Sequence, residues 1–362
     1  MLNTSSGVFN FSSIWLSSFD VPYPVLPSQS SYTWSNYAIS EILISISGII
    51  FNAFIILTFA YHRYLLKNVF MIYLLNISVA HVTFAVLNGS VDLAVNGYSE
   101  WRFSRAVCTF DLYTHYVLES LIVYGHLLIT LSRFWESFFP DSYNRYHARK
   151  TVVCLCIIQW IFVHLVYTPG IILNSYKTVG INSACRINLE IASVNVWMEM
   201  MVVLFILVEI VIIAFCPFIL LRERTLQAKV SVEADDVNTV EENISEAKSP
   251  NRNGFPLVLE DIEHPNIISI QLEADAERLA SERRSMRRCF LLFTGTTLLF
   301  WTPLVTCLSI STYDVLRRSE AALDTVSMLY SLQIIVDPTV FVISFPNVRS
   351  AMWLSVRCFV SL

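Results

Sequence analysis

Long apolar stretches alternate with shorter polar breaks along this chain. The apolar runs occupy Ile39–Tyr61, Val69–Leu93, Val107–Phe134, Val152–Leu173, Ala192–Leu221, Arg288–Ser311 and Ala321–Phe345. Each can cross a bilayer, since about 20 mostly apolar helical residues span roughly 30 Å of hydrocarbon. Helix is the conformation lipid permits here, because unpaired backbone groups are not tolerated and the runs are too long for barrel strands. The pattern predicts an all-α membrane protein, a seven-transmembrane helix bundle. Composition agrees: 15% of the 362 residues are charged and 55% hydrophobic, against about 25% charged in soluble domains.

The polar breaks set the orientation. One side carries Arg63 and Lys67, then Arg145, Arg149 and Lys150, then Arg222, Arg224, Arg283, Arg284 and Arg287, then Arg349 and Arg357. The other side carries Arg102, Arg105, Lys177, Arg186, Arg317 and Arg318. The first set is denser near the span ends, which places it in the cytoplasm and the N-terminus outside. Sequons at Asn3 and Asn10 suit glycosylation on that outer side. Met1–Asp20 lacks the basic stretch and apolar core of a signal peptide, so the first span is expected to serve as its own insertion signal.

Three regions follow: a flexible extracellular N-terminus (1–38), the bundle (39–345) and a cytoplasmic tail (346–362). In the tail, Asn347–Phe359 has the pattern of a short amphipathic helix on the membrane surface. Five of the six loops are short, so consecutive helices are antiparallel neighbours. The exception is the third cytoplasmic connection, 222–287. Its acidic centre, Val232–Asp261, is expected to be disordered, and Asp275–Arg288 to be a charged helix running into the sixth span.

The net charge of −5 says little about partners, because much of the acid lies in that one connection. Cys108 and Cys185 fall on the outer side, where a disulfide persists and would tie the third helix to the second extracellular loop. Cys358 lies at the inner leaflet after the last span, a candidate for palmitoylation. The cysteines show no metal spacing, and no nucleophile–base motif or zinc cluster stands out. No metal, cofactor or catalytic role is therefore expected, and the partners anticipated are the lipid bilayer and not nucleic acid.

With the spans placed, several residues fall into a known order. The first helix carries Gly48 and Asn52 four residues apart, and the second Asn76-Ile77-Ser78-Val79-Ala80-His81. The third opens at Cys108 and closes at Ser132-Arg133-Phe134; the fourth holds Trp160. The sixth carries Phe300-Trp301-Thr302-Pro303 and the seventh Asp337-Pro338-Thr339-Val340-Phe341. From residue 39 to 358 the chain resembles the rhodopsin-like family of G-protein-coupled receptors. The resemblance implies a plasma-membrane receptor that binds an extracellular ligand and activates heterotrimeric G proteins. It implies that Arg133 meets the G protein, with Arg145, Arg283 and Arg287 on the docking rim. It implies also that Trp301, Pro303 and Pro338 mark places where the sixth and seventh helices bend.

Departures from the family pattern concentrate inside the bundle. His81 stands where the family has aspartate, Asp337 where it has asparagine, Phe341 where it has tyrosine, and Ser132 where it has an acid. The acid that usually latches the arginine from the sixth helix corresponds to Arg283, so the latch is expected to be absent and Arg133 and Arg283 to repel. Ionisable groups in a span cost about 2.5–3.5 kcal/mol each on insertion scales. His81, His126 and Asp337 lie at similar depth. His81 is expected to pair with Asp337, and His126 to join by a hydrogen bond, either as a static bond between helices or as a protonation switch.

Nearer the outside, Asp111, His115 and Glu119 recur every fourth residue on the third helix and form one stripe over about 12 Å. By resemblance the stripe at and below His115 faces the ligand cavity, with Trp301, Leu304, Val305, Ser327 and Ser331 as further lining. The acids lean toward a cationic ligand, such as a basic peptide. Two other readings stand beside the receptor: a receptor-shaped scaffold with constitutive or lost coupling, motivated by the rewritten interior, and a proton- or ion-coupled transporter, disfavoured by the absence of internal repeats.

Overall fold

The structure, a computed structural model, describes residues 36–95, 103–177, 185, 187–188, 190–247, 265–311 and 320–360. The sequons at Asn3 and Asn10 and the side chain of Cys358 lie outside the described residues. The helices are α1 (Asn36–Tyr61), α2 (Phe70–Val95), α3 (Arg105–Phe138), α4 (Arg149–Lys177), α5 (Ala192–Ala247), α6 (Pro265–Ser311), α7 (Glu320–Ser331 and Gln333–Ser344) and α8 (Pro346–Val360). A 3₁₀ turn, Arg63–Lys67, follows α1, and a short helix, Pro140–Tyr146, lies between α3 and α4. The first seven helices are long and apolar enough to cross a membrane.

Their side chains are distributed as lipid requires. Leu43, Ile50, Leu165, Leu207 and Leu299 are exposed around the outside, while Asn52, Ser78, His81 and Asp337 are fully buried. Polar groups in hydrocarbon must find partners inside the bundle. The span in α3 is the most buried of the seven, and those in α4 and α5 are the least. Apolar packing falls into two groups. The outer one joins Leu118 and Leu121 of α3 to Trp197 and Phe205 of α5 and Trp301 of α6. The inner one joins Phe59 of α1 and Tyr73 of α2 to Phe290 and Phe293 of α6 and Phe341 of α7.

Local sequence explains the closest approaches. A Cβ added at Gly48 would lie 2.2 Å from Ile334 Cγ2, so only glycine lets α1 and α7 meet here. One turn below, Asn52 Nδ2 donates to the carbonyls of Gly48 (3.0 Å) and Ile334 (2.9 Å), stitching the same contact. Ser104 caps the start of α3. After Pro346 the chain turns into α8, which buries Val348, Ala351 and Ser355 and exposes Trp353 and Leu354. Ser355 Oγ lies 3.2 Å from His62 Nε2, which ties α8 to the end of α1.

Two features depart from the expectations. The third cytoplasmic connection is helical as far as Ala247, well into the segment expected to be disordered; residues 248–264 lie outside the described set. Ala, Glu, Lys, Gln and Leu between Arg222 and Ala247 are good helix formers, and α5 supplies the nucleus that an isolated segment lacks. Within α3, Thr114–Leu118 forms a π turn, which hydrophobic periodicity does not reveal.

Candidate functional site

At mid-depth, three helices bring one carboxylate and two imidazoles together. Asp337 Oδ2 of α7 lies 2.9 Å from His81 Nε2 of α2 and 3.1 Å from His126 Nε2 of α3, all three groups buried. His126 Nδ1 faces the Ile122 carbonyl at 2.9 Å; a carbonyl only accepts, so Nδ1 carries a hydrogen. Nε2 then has two neighbours, Asp337 and the Gln333 side-chain nitrogen at 3.3 Å. Protonated, it donates to Asp337; unprotonated, it accepts from Gln333. The Gln333 oxygen in turn accepts from Trp301 Nε1 at 2.5 Å. The proton on one imidazole thus decides how firmly the amide holding Trp301 is itself held.

Aromatic rings surround this chain of contacts. Trp301 packs edge-on against Tyr330, with ring centres 4.8 Å apart, and tilts against Phe205. Phe293 packs edge-on against both His126 and Phe341. Pro303 interrupts α6 two residues beyond Trp301, and Pro338 interrupts α7 directly after Asp337. The two helices that carry the contacts therefore each lack a backbone hydrogen bond next to them.

At the cytoplasmic end, Arg133 is buried and held by two carboxylates, Glu136 one turn on in α3 and Glu223 from α5. Its neighbour from α6 is Met286, whose sulfur lies 4.0 Å from Nη1. This corrects the expectation of an unlatched arginine repelled by Arg283. Arg133 is ion-paired to an acid from α5, and Arg283 and Arg145 are exposed. Arg287 is partly buried.

Beside Arg133, Ser132 Oγ lies 3.3 Å from His147 Nε2, and Tyr73 Oη lies 2.7 Å from the same nitrogen. Burial pushes the His147 imidazole down to about 4, so it is neutral near pH 7 and accepts from Tyr73. The His147 ring stacks on Tyr143 at 4.1 Å, and its contacts with Tyr73 and Ser132 fasten the loop between α3 and α4 to α2 and α3.

The extracellular end gathers acids. Asp111 and His115 are linked along α3, with Nδ1 3.6 Å from Oδ1. Asp92 of α2 accepts from Asn88 Nδ2 at 2.6 Å, and Asn88 in turn accepts from Thr114. Glu119, His115 and Asp92 lie within electrostatic reach of one another, and Glu41 of α1 joins them. Ser331 of α7 bonds back to the Ser327 carbonyl at 3.0 Å and lies beside Glu41. Leu304 and Val305 pack with Trp301 in the outer core. A disulfide joins Cys108 to Cys185 above this end.

The fold therefore brings His81, His126 and Asp337 together, gathers Asp111, His115, Glu119 and Ser331, and keeps Arg145 and Arg283 apart from Arg133. Sequence reasoning passed over Glu41, Glu223 and Gln333. Each is a polar residue at a helical run's edge or interior, and intramembrane polarity was the available signal.

Residues 51–341 match the family described as 7 transmembrane receptor (rhodopsin family). Among curated proteins, the chain is 25% identical over 149 residues to neuropeptide receptor 15 of Caenorhabditis elegans, 41% of this chain and 43% of that one. It is 26% identical over 148 residues to cysteinyl leukotriene receptor 1 of Cavia porcellus, 40% and 42% of the two chains. It is 28% identical over 141 residues to the human histamine H4 receptor, 38% and 35% of the two chains. The matched stretches thus span less than half the length of each of these relatives.

Proposed function

Because this chain belongs to the rhodopsin family of seven-transmembrane receptors, we propose that it sits in the plasma membrane with its N-terminus outside, binds a cationic extracellular ligand and activates a heterotrimeric G protein. A basic peptide fits this reading, and one relative's name, neuropeptide receptor 15, is in keeping with it. The observation that carries the proposal is the unbroken set of contacts Tyr330–Trp301–Gln333–His126–Asp337, which runs from beside the outer acids to the bundle's centre.

Ligand contact at the outer end would shift Trp301, loosen Gln333 from His126 and let α6 swing at Pro303. Arg133 would then leave Glu223 to meet the G protein, with Arg145, Arg283 and Arg287 at the rim. A ligand drives this change only by its higher affinity for the open state. Asn52, His81 and Phe341 would keep the remaining helices in register during that motion. The scaffold alternative draws on Ser132 and Phe341, yet the double carboxylate grip on Arg133 favours a receptor that is quiet until triggered.

The test is a screen of basic peptides and amines on cells carrying sensors for each G-protein class. A response that Arg133→Ala abolishes at equal surface expression supports the reading. Equal signalling by Arg133→Ala, or silence across all sensors, would overturn it.

A further inference from the structure

The outer acids outnumber their partners. Glu41, Asp92, Asp111 and Glu119 share one imidazole, His115, as the cationic group within their reach. His115 carries at most one positive charge, so the four carboxyls cannot all be neutralised as ion pairs in this partly buried place, where ions are poorly solvated.

Among the buried polar atoms without a partner at this end are one from α1 and one from α7. Glu41 is 5% exposed and its Oε1 has no hydrogen-bond partner. Tyr330 is 2% exposed, its hydroxyl is likewise unpartnered, and it lies within electrostatic reach of Glu119. Such groups are rare in native interiors, and an unmade bond there is destabilising by about 1–3 kcal/mol. Glu41 comes from α1 and Tyr330 from α7, so the two unpartnered atoms belong to different helices of the site. Asp92 is held by Asn88, and Glu41 keeps one oxygen open beside its contact with Ser331.

From this arrangement we infer that the outer end takes a ligand with two separated positive groups, one received by Glu119 beneath Tyr330 and the other by Glu41 with Asp92. The inference rests on the reading that the outer ends of α1, α2, α3 and α7 form the ligand site, and it adds the charge number and the part of α1. One cationic N–H would complete the Glu41 oxygen that the free protein leaves open, and Glu119 lies within electrostatic reach of Tyr330, which packs on Trp301. A ligand with one charge can fill one half only.

The test uses the full chain in lipid nanodiscs and reads binding through the rise in thermal midpoint. The probes are straight-chain diamines of four to eight carbons and acetyl-Arg-Arg-amide, each set against its single-charge match, the monoamine of equal length or acetyl-Arg-Ala-amide. At least one double-charge probe should bind about tenfold more tightly than its match. Glu41→Gln and Glu119→Gln should each shrink that preference to within about threefold, whereas Glu190→Gln, an exposed acid outside the site, should preserve it. Asp92→Asn serves as the second variant if Glu41→Gln fails to fold. Equal binding of both probe types, or a preference untouched by the variants, would overturn the inference. Because binding is read without a G protein, loss of signalling would count against the receptor mechanism and leave this inference standing.

Discussion

At the level of Arg133 and at the centre of the bundle, the charged groups are in direct ion pairs: Arg133 has two carboxylates and Asp337 has two imidazoles. At the end where α3 begins, four carboxylates share one imidazole, which pairs with Asp111. The difference separates charged groups held in direct pairs from acids that share a single partner. A matched interior holds the resting arrangement without help. An unmatched surface pocket favours whatever brings the missing charges, and the ligand gains what the protein has not spent on its own contacts.

The largest effect should come from breaking the match at the centre. Asp337→Leu strands two buried histidines, and removing one partner of a buried ionic group typically costs about 3–5 kcal/mol. The thermal midpoint should fall sharply, with much of the loss recovered when His81→Leu and His126→Leu are added. A single variant as stable as the parent would remove the centre from the matched set. Next in size is the Arg133 grip. Glu223→Gln removes one charge-assisted bond, a contact worth about 1.5–3 kcal/mol, so basal G-protein activation should rise roughly tenfold or more. Unchanged basal activity would mean that Glu223 does not hold the resting state.

A smaller effect belongs to His147. Its folded pKa of about 4 lies below the ordinary value of 6.5, so the folded state disfavours the proton. The sign follows: its stabilisation is whole above pH 6.5 and is lost as pH falls toward 4. His147→Asn should flatten the fall in thermal midpoint between pH 7 and pH 5, and an equally steep fall in the variant would contradict this. The smallest change is expected at the unmatched end. In the absence of ligand, Glu41→Gln should raise the thermal midpoint slightly, because it removes a charge that has no counterpart.

Much of this comparison could be read in the chain before its fold was known, and some of it could not. The seven runs announce the bundle, since lipid leaves little choice of structure. Similar depth along three helices was enough to pair His81 with Asp337 and bring His126 to them. Depth, however, says nothing about the direction a helix presents. Glu41 lies near the outer end of an almost uniformly apolar run, where an acid is unremarkable, and only the packing of α1 against α7 at Gly48 turns it toward the α3 stripe.

Glu223 was hidden for a related reason. The apolar run of α5 continues with little period, so its rotation is set by contacts with α3, such as Phe215 stacked on Phe134 at 4.3 Å. Glu209 of the same helix accepts from Thr302 of α6. Gln333 sits where α7 breaks between its two segments, and the π turn at Thr114–Leu118 shifts the stripe in a way no periodic pattern foretells.

The most direct test of the contrast between the two ends is one thermal-unfolding experiment on the ligand-free chain in nanodiscs at pH 8, comparing Glu223→Gln with Glu41→Gln. The account predicts opposite signs: a lower midpoint when the matched acid at the cytoplasmic end is neutralised, and a higher one when the unmatched acid at the extracellular end is. A drop of similar size in both would contradict it.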